Sequence, residues 1–314
     1  ALDPALSALA PPVQPPIAVE APLLPEELRA LHQGTPLYAL AEDRPSPGVN
    51  TLLDWQDKGV PAAVAVVVSS YNYASRIIDA LNSVQAQTAQ ALELIVVDDA
   101  SQDDSVAVVQ RWMQQLLDAG PREGVVPRFS RLALLRHHSN AGLATARNTA
   151  FAAAHADWCF VLDADNRLLP DAVRACNALA RDLSEVVRLG VVHPLIGMDV
   201  EPSRWDEQRS LLGGPSWQRG RFLEGNIVDA MALVRRQAWR SVGGYTHLDG
   251  GWEDYDFWCK LLEEGWHGVQ CPQLLALYRS HTEAMTYRDT APRQRALSRT
   301  LQRRHPWLSL PLAT

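Results

Sequence analysis

Two aspartates separated by one alanine, Asp163-Ala164-Asp165, follow directly on the short apolar run Trp158-Cys-Phe-Val-Leu162. A run of that length and composition predicts a buried strand, and the charge marks its end. In an open α/β sheet, ligands bind in the crevice beyond the carboxyl ends of the strands. Paired carboxylates there can hold a hard divalent cation through oxygen, and the cation can bridge to a diphosphate. The same pair would also serve as loop carboxylates before the helix that Pro170-Asp171 begins. Two more apolar runs end in polar groups. The stretch from Ala62 to Ser70 leads into Tyr71-Asn72-Tyr73, and Leu92-Glu-Leu-Ile-Val-Val97 leads into Asp98-Asp99. A further acidic pair, Glu253-Asp254, opens a helical pattern with Tyr255, Trp258, Leu261 and Leu262 on its apolar side and Gly265 at its end. The helix dipole favours the ionised form of a first-turn carboxylate, whereas the neighbouring Glu253 opposes it. A carboxylate ionised near neutral pH can take the proton of a hydroxyl as its oxygen attacks.

These groups need a scaffold, and the chain alternates strand and helix patterns over residues 62 to 180. Helical patterns run through Ile77, Ile78, Leu81 and Val84, then through Val106, Val109, Trp112, Met113 and Leu116, and then through Ala144, Arg147, Asn148 and Phe151. A further strand is expected at Leu132–Leu135. That alternation predicts a parallel sheet with right-handed crossovers, so three polar strand ends fall on one edge. Residues 1 to 60 hold ten of the 21 prolines and read as an extended arm or linker, with one short helix expected at Pro25–His32. The 314 residues are 47% apolar, enough for one large α/β domain or two modest ones. A formal charge of -7 with no Lys/Arg-rich run argues against a nucleic-acid partner. No apolar run reaches the roughly 18 residues of a membrane span, and no signal peptide opens the chain. Cys159, Cys176, Cys259 and Cys271 lack CxxC spacing and are expected to be reduced core thiols of a cytoplasmic protein. The first residue is alanine, which suggests a processed chain or a piece of a longer protein with further domains.

Six motifs then occur in order: Val68-Ser-Ser-Tyr-Asn72, Val96-Val-Asp-Asp-Ala-Ser-Gln-Asp103, Asn140-Ala-Gly-Leu-Ala-Thr-Ala-Arg-Asn148, Leu162-Asp-Ala-Asp-Asn166, Gly243-Gly-Tyr245 and Trp252-Glu-Asp-Tyr-Asp-Phe257. Together they resemble family 2 glycosyltransferases of the GT-A fold over residues 62 to 285. The resemblance implies a mostly parallel, twisted central sheet flanked by helices, preceded by the Pro-rich extension. The expected divisions are residues 1–60 as extension or linker, 61–285 as glycosyltransferase domain and 286–314 as a basic, helical tail.

The resemblance also implies roles. Ser69 and Tyr71 would meet the base and ribose of a nucleotide-sugar, and Asp99 would accept the imide N–H of uracil, since a carboxylate only accepts. Arg147 would either approach the diphosphate or stay a surface arginine. Asp163 and Ala164 would lie at the ribose, with Asp163, Asp165 and His281 around a Mn²⁺ or Mg²⁺ ion. Arg279 would pair phosphate oxygens. Trp252 would stack on a sugar or pack the core, and Asp254, rather than Glu253, would be the base. Glu224, Asn226 and Arg235 remain equal candidates for acceptor binding.

The implied reaction is inverting, metal-dependent transfer of a hexose from a UDP-linked donor to a glycan, lipid-linked or other hydroxyl acceptor. A nucleotidyltransferase is the first alternative, but it requires a Gly/Arg/Lys-rich loop after the first strand, which Ser69–Tyr73 lacks. An inactive carbohydrate- or nucleotide-binding module of a larger protein is the second. The basic stretch Arg293 to Pro306 reads as a surface helix, a contact with the rest of the polypeptide, or an anchor to the inner, anionic face of a membrane.

Overall fold

The computed structural model describes residues 47–57, 59–120, 128–185, 187–199, 211–213, 217–281 and 284–311. The Pro-rich stretch before residue 47, including the helix expected at Pro25–His32, lies outside the described residues. The strands are β1 (Val49–Gln56), β2 (Val64–Ser70), β3 (Leu92–Asp98), β4 (Phe129–His137), β5 (Trp158–Asp163), β6 (Arg167–Leu168), β7 (Leu189–Asp199), β8 (Leu211–Leu212), β9 (Leu233–Arg235) and β10 (His267–Arg279). The helices are α1 (Ile77–Gln85), α2 (Ser105–Ala119), α3 (Leu143–Ala153), α4 (Ala172–Leu183), α5 (Arg219–Phe222), α6 (Arg236–Ser241), α7 (Glu253–Glu263) and α8 (Ala291–Arg304). A π-helical turn, Thr286–Thr290, runs directly into α8.

One mixed sheet in the order β1-β4-β3-β2-β5-β9-β7-β10-β6 organises these elements, with β8 paired to β7. The pairings β4-β3, β3-β2, β2-β5 and β7-β10 are parallel. The central strand shows why the sequence folds this way. In Val-Ala-Val-Val-Val of β2, alternate residues leave on opposite faces, and both faces are covered. Ala65 and Val67 pack toward α3, α7 and α8, whereas Val64, Val66 and Val68 pack toward α1, α2 and α4. A continuous β-branched run is what a strand buried on both sides requires.

Two expectations change. Val49–Gln56, placed by its neighbourhood in the Pro-rich arm, is an edge strand antiparallel to β4. The basic C-terminal stretch is helical but not a detached tail, because α8 buries Leu297 and Leu301 in the core. At its end, Arg304 is 1% exposed, and its Nε and Nη2 donate to the two oxygens of Asp256. Buried His305 lies 2.7 Å from Glu263 Oε1 and 3.0 Å from Asp256 Oδ1. Burial opposes a charge on His305, but Glu263 and Asp256 outweigh it and push its pKa up to about 9. The four cysteines are buried and free, as core thiols. Among the described residues, no helix is long and apolar enough to cross a membrane.

Candidate active site

The carboxyl ends of β2, β3 and β5 open onto a cleft of about 760 Å³. One rim begins at Ser69 and Tyr71, which both line the cleft. Asn72 follows with a left-handed φ of 59°. Its amide donates to Ser101 Oγ at 2.9 Å, and its side-chain oxygen accepts from the Gln102 amide at 2.8 Å. These two bonds join the loops after β2 and β3. Asp98 Oδ1 accepts from the Ser101 amide and closes that second turn.

Asp99 lines the cleft, but its carboxylate is occupied within the chain. Oδ1 accepts from the Ala141 amide at 2.9 Å and lies 2.6 Å from His137 Nδ1, and Oδ2 accepts from the Gly142 amide at 2.7 Å. Three of about four lone-pair positions are therefore used. Its first duty is to fix the start of α3, and a base imide would be a further partner. Gly142 has φ +88°, and a Cβ there would stand 2.6 Å from His247 Nδ1. Glycine is what lets this turn offer its amide to Asp99.

Arg147 is neither a surface arginine nor an open phosphate ligand. It is 2% exposed, and Nη2 donates to Asp163 Oδ1 at 2.8 Å while Nη1 donates to Glu253 Oε1 at 2.7 Å. Burial works against its charge, yet Asp163 and Glu253 hold its pKa above the ordinary value. One guanidinium thus ties the acid at the end of β5 to the acid that opens α7. Ala164 is buried between the two aspartates and lines the cleft.

Asp165 Oδ2 lies 2.9 Å from Nε2 of His281, which is buried two residues beyond β10, stands behind Asp165 and is not itself part of the lining. Burial, and then Asp163, raise the pKa of Asp165, while His281 opposes the shift. Tyr73 stands edge-on to His281, with ring centroids 6.3 Å apart, and burial followed by the charge of Asp165 raises its hydroxyl pKa. The expected ligand set of Asp163, Asp165 and His281 is not assembled as a metal centre. No group of three or more His, Cys, Asp or Glu side chains among the described residues is arranged to hold an ion. Asp163 has turned to Arg147. The remaining pair still suits an ion: adjacent ligands on an octahedral Mg²⁺ or Mn²⁺ with bonds of ~2.1 Å stand ~3 Å apart, and such ions take further ligands from phosphates and water.

The opposite rim carries Trp252, Glu253 and Asp254. Trp252 adopts φ 62°, a left-handed backbone that turns the chain from Gly250-Gly251 into α7. Its ring packs on the core and lies 6.1 Å from Tyr255, while also lining the cleft. Asp254 Oδ2 accepts from Asn226 Nδ2 at 2.8 Å, and Oδ1 accepts from the Tyr255 amide at 2.8 Å. Burial, and then Glu253, push the Asp254 pKa up to about 7, so desolvation outweighs the helix dipole.

Of the acceptor candidates, Asn226 lines the cleft, whereas Arg235 lies over the Trp158 ring and Glu224 is not part of the lining. Arg279 is also displaced from its expected role. Its Nη2 donates to Asp79 of α1 at 2.8 Å, and it does not line the cleft.

The cleft adds residues that sequence reasoning missed. Asp229 lines it with Oδ1 accepting from the Met231 amide, and burial followed by Asp163 pushes its pKa up to about 6. Its only sequence signal is an acid just before the strand-like Ala230–Val234 run. Arg76 and Arg288 also line the cleft, from the loop before α1 and from the turn before α8.

Comparison with solved structures fixes the class. The chain aligns with Staphylococcus aureus TarS 1–349 in complex with UDP-GlcNAc at a TM-score of 0.55 and 16% identity, covering 76% of this chain and 66% of that one. It aligns with the mannosyltransferase PcManGT of Pyrobaculum calidifontis, in complex with GDP-Man and Mn²⁺, at a TM-score of 0.51 and 20% identity, covering 88% and 72%. At these identities the likeness shows a shared fold, that of GT-A glycosyltransferases. The sequence model described as Glycosyl transferase family 2 matches residues 65–243, more than half of the chain, and the chain belongs to that family. The succinoglycan biosynthesis protein ExoU of Rhizobium meliloti is 36% identical over 216 residues, 65% of this chain and 58% of that protein. Escherichia coli chondroitin synthase is 26% identical over 213 residues, 66% of this chain and 27% of the synthase. The chain thus spans less than two thirds of either relative. The family match stops before Glu253, Asp254 and His281, so the first two stand on the geometry of the cleft and His281 on its contact with Asp165.

Proposed function

We propose that this chain transfers a hexosyl group from a nucleotide-sugar, UDP-linked, to an acceptor hydroxyl with inversion at the anomeric carbon, Asp254 acting as general base. The observation that carries this reading is the link Asp163–Arg147–Glu253, which brings the strand-end acids and the first turn of α7 to one cleft. A carboxylate with a pKa near 7 is matched to proton abstraction at neutral pH, an effect worth typically ~10²–10⁴-fold. Asn226 orients its outer oxygen. Ser69 and Tyr71, which line the cleft, would receive the nucleoside, with Asp99 setting the loop beside them. Trp252 offers a ring face to a sugar.

Asp165 and His281 are the residues that would hold Mn²⁺ or Mg²⁺, with Asp163 alongside. A bound ion would supply Lewis-acid stabilisation of charge on the departing diphosphate. Inversion follows from one base acting on the acceptor while the strand-end aspartates are engaged by Arg147 and His281. TarS with UDP-GlcNAc supports a uridine donor, and PcManGT with GDP-Man makes guanosine the comparison to run.

The test is nucleotide release from a panel of UDP- and GDP-sugars with Mn²⁺ and simple glycoside acceptors, followed by proton NMR of the product. Release of UDP with an inverted anomeric signal is expected. A retained configuration overturns single displacement, and binding without release reduces the chain to a nucleotide-sugar-binding module.

A further inference from the structure

Residues 286 to 304 carry six arginines and one acid, Asp289, in a chain of formal charge -7. Two of the six have structural work: Arg304 is buried against Asp256, and Arg293 lies over Gly250 near Asp249 and Asp289. Arg295, Arg299 and Arg303 are exposed, and none has an ion-pair partner among the described residues. They are spaced by four, which places them on one face of α8, opposite buried Leu297 and Leu301. Arg288 precedes Arg295 by seven residues, in the π-helical turn that runs directly into α8, and extends the basic stretch toward the cleft. Arg288 also lines the cleft. The stretch therefore starts at the mouth of the site and runs roughly 22 Å along the helix.

A helix face kept merely for solubility mixes signs and pairs Glu with Lys or Arg at i,i+4. Among the described residues Arg295, Arg299 and Arg303 meet no acid on this face, and Arg288 meets only its neighbour Asp289, at 3.1 Å. It is also a convex ridge, so its ligand is an extended anionic surface and not a chain enclosed in a groove. Tyr287, 48% exposed beside Arg288, adds an amphipathic ring of the kind that sits at a lipid headgroup layer.

We propose that Arg288, Arg295, Arg299 and Arg303 seat this protein on an anionic phospholipid surface, with the mouth of the cleft at the headgroups. The inference stands apart from sugar transfer, because its test contains no catalytic step.

The experiment is cosedimentation of the chain with vesicles of phosphatidylcholine alone or mixed equally with phosphatidylglycerol. Binding is expected only to the mixed vesicles, and should vanish in about 1 M salt, where the Debye length is ~3 Å. Each basic residue near such a surface is worth roughly fivefold, so R295E/R299E/R303E should bind on the order of 100-fold more weakly or worse. The R295K/R299K/R303K variant should bind as the parent does, and thermal melting of both variants should match it. Equal binding to both vesicle types, unchanged binding of the reversed-charge variant, or no binding of the parent would each overturn the proposal. So would capture by soluble polyphosphate without vesicle binding, which would assign the stripe to a polyanion instead.

Discussion

The two rims of the cleft are built by different means. The rim at Ser69 and Tyr71 comes from consecutive strand–helix units, and Ser69, Tyr71, Asp99, Asp163 and Asp165 lie within two positions of a strand's last residue. Short hydrogen bonds lock it: Asn72 to Ser101 and Gln102, and Asp99 to Ala141 and Gly142. The opposite rim gathers Asn226 and Asp229, the first turn of α7, and residues 284 to 290 from three separate stretches. Buried charge between α7 and the end of α8 holds that rim, where Asp256 meets Arg304, His305 and Lys260, and Glu263 meets His305 and Trp307. One rim is secured by hydrogen bonds to backbone amides and a hydroxyl between loops 29 to 43 residues apart, the other by buried ion pairs that span 42 to 49 residues. Disturbing the second should therefore leave nucleotide binding to the first.

The sharpest separation comes from Asp254→Asn. Transfer should fall by about 10²–10⁴-fold while the affinity for UDP stays within twofold or so, and near-normal turnover would place the base elsewhere. Arg304→Met is the next largest effect. It leaves Asp256 buried with weaker compensation and should cost about 3–5 kcal/mol in a urea titration, loosening acceptor KM before UDP affinity. Equal loss of both would mean that the two rims fold and fail together.

Asp165→Ala probes the donor side alone. It should remove the Mn²⁺-dependence of UDP binding in calorimetry; unchanged affinity with Mn²⁺ would show that Asp165 holds no ion.

Two pH profiles give smaller effects. Because Asp254 must be ionised to act, kcat should rise about tenfold per pH unit up to about pH 7 and then level. His305 is protonated more readily in the fold, with a pKa of about 9 against an ordinary 6.5. Its stabilising contribution is therefore complete below pH 6.5 and lost as pH rises through 9. The melting temperature should fall across that interval in the parent and stay flatter in His305→Gln.

The contrast between rims also explains what was legible in the chain. β2, β3 and β5 announce themselves as apolar runs, and Asp99, Asp163 and Asp165 stand where those runs stop, so pattern alone located them. Patterning cannot show where a carboxylate points. Asp99 turned inward to backbone amides, Arg147 to two acids and Arg279 to Asp79, because each found a partner in three dimensions that spacing does not encode. Asp229 comes from an irregular segment with no period to read, and Arg288 from a π-helical turn whose approach to the cleft its spacing does not show. The C-terminal arginines looked alike as letters, yet Arg304 sits in the core and Arg303 in solvent, a distinction made by one step of helical rotation.

Arg147 imposes a rule on anyone who would re-engineer this protein. Its cation is shared, so neutralising Asp163 or Glu253 singly leaves it one partner, whereas removing the arginine leaves buried Glu253 and half-buried Asp163 without their counter-ion. Changes at position 147 therefore call for matching changes at 163 and 253, whereas either acid can be varied while the other still holds the arginine.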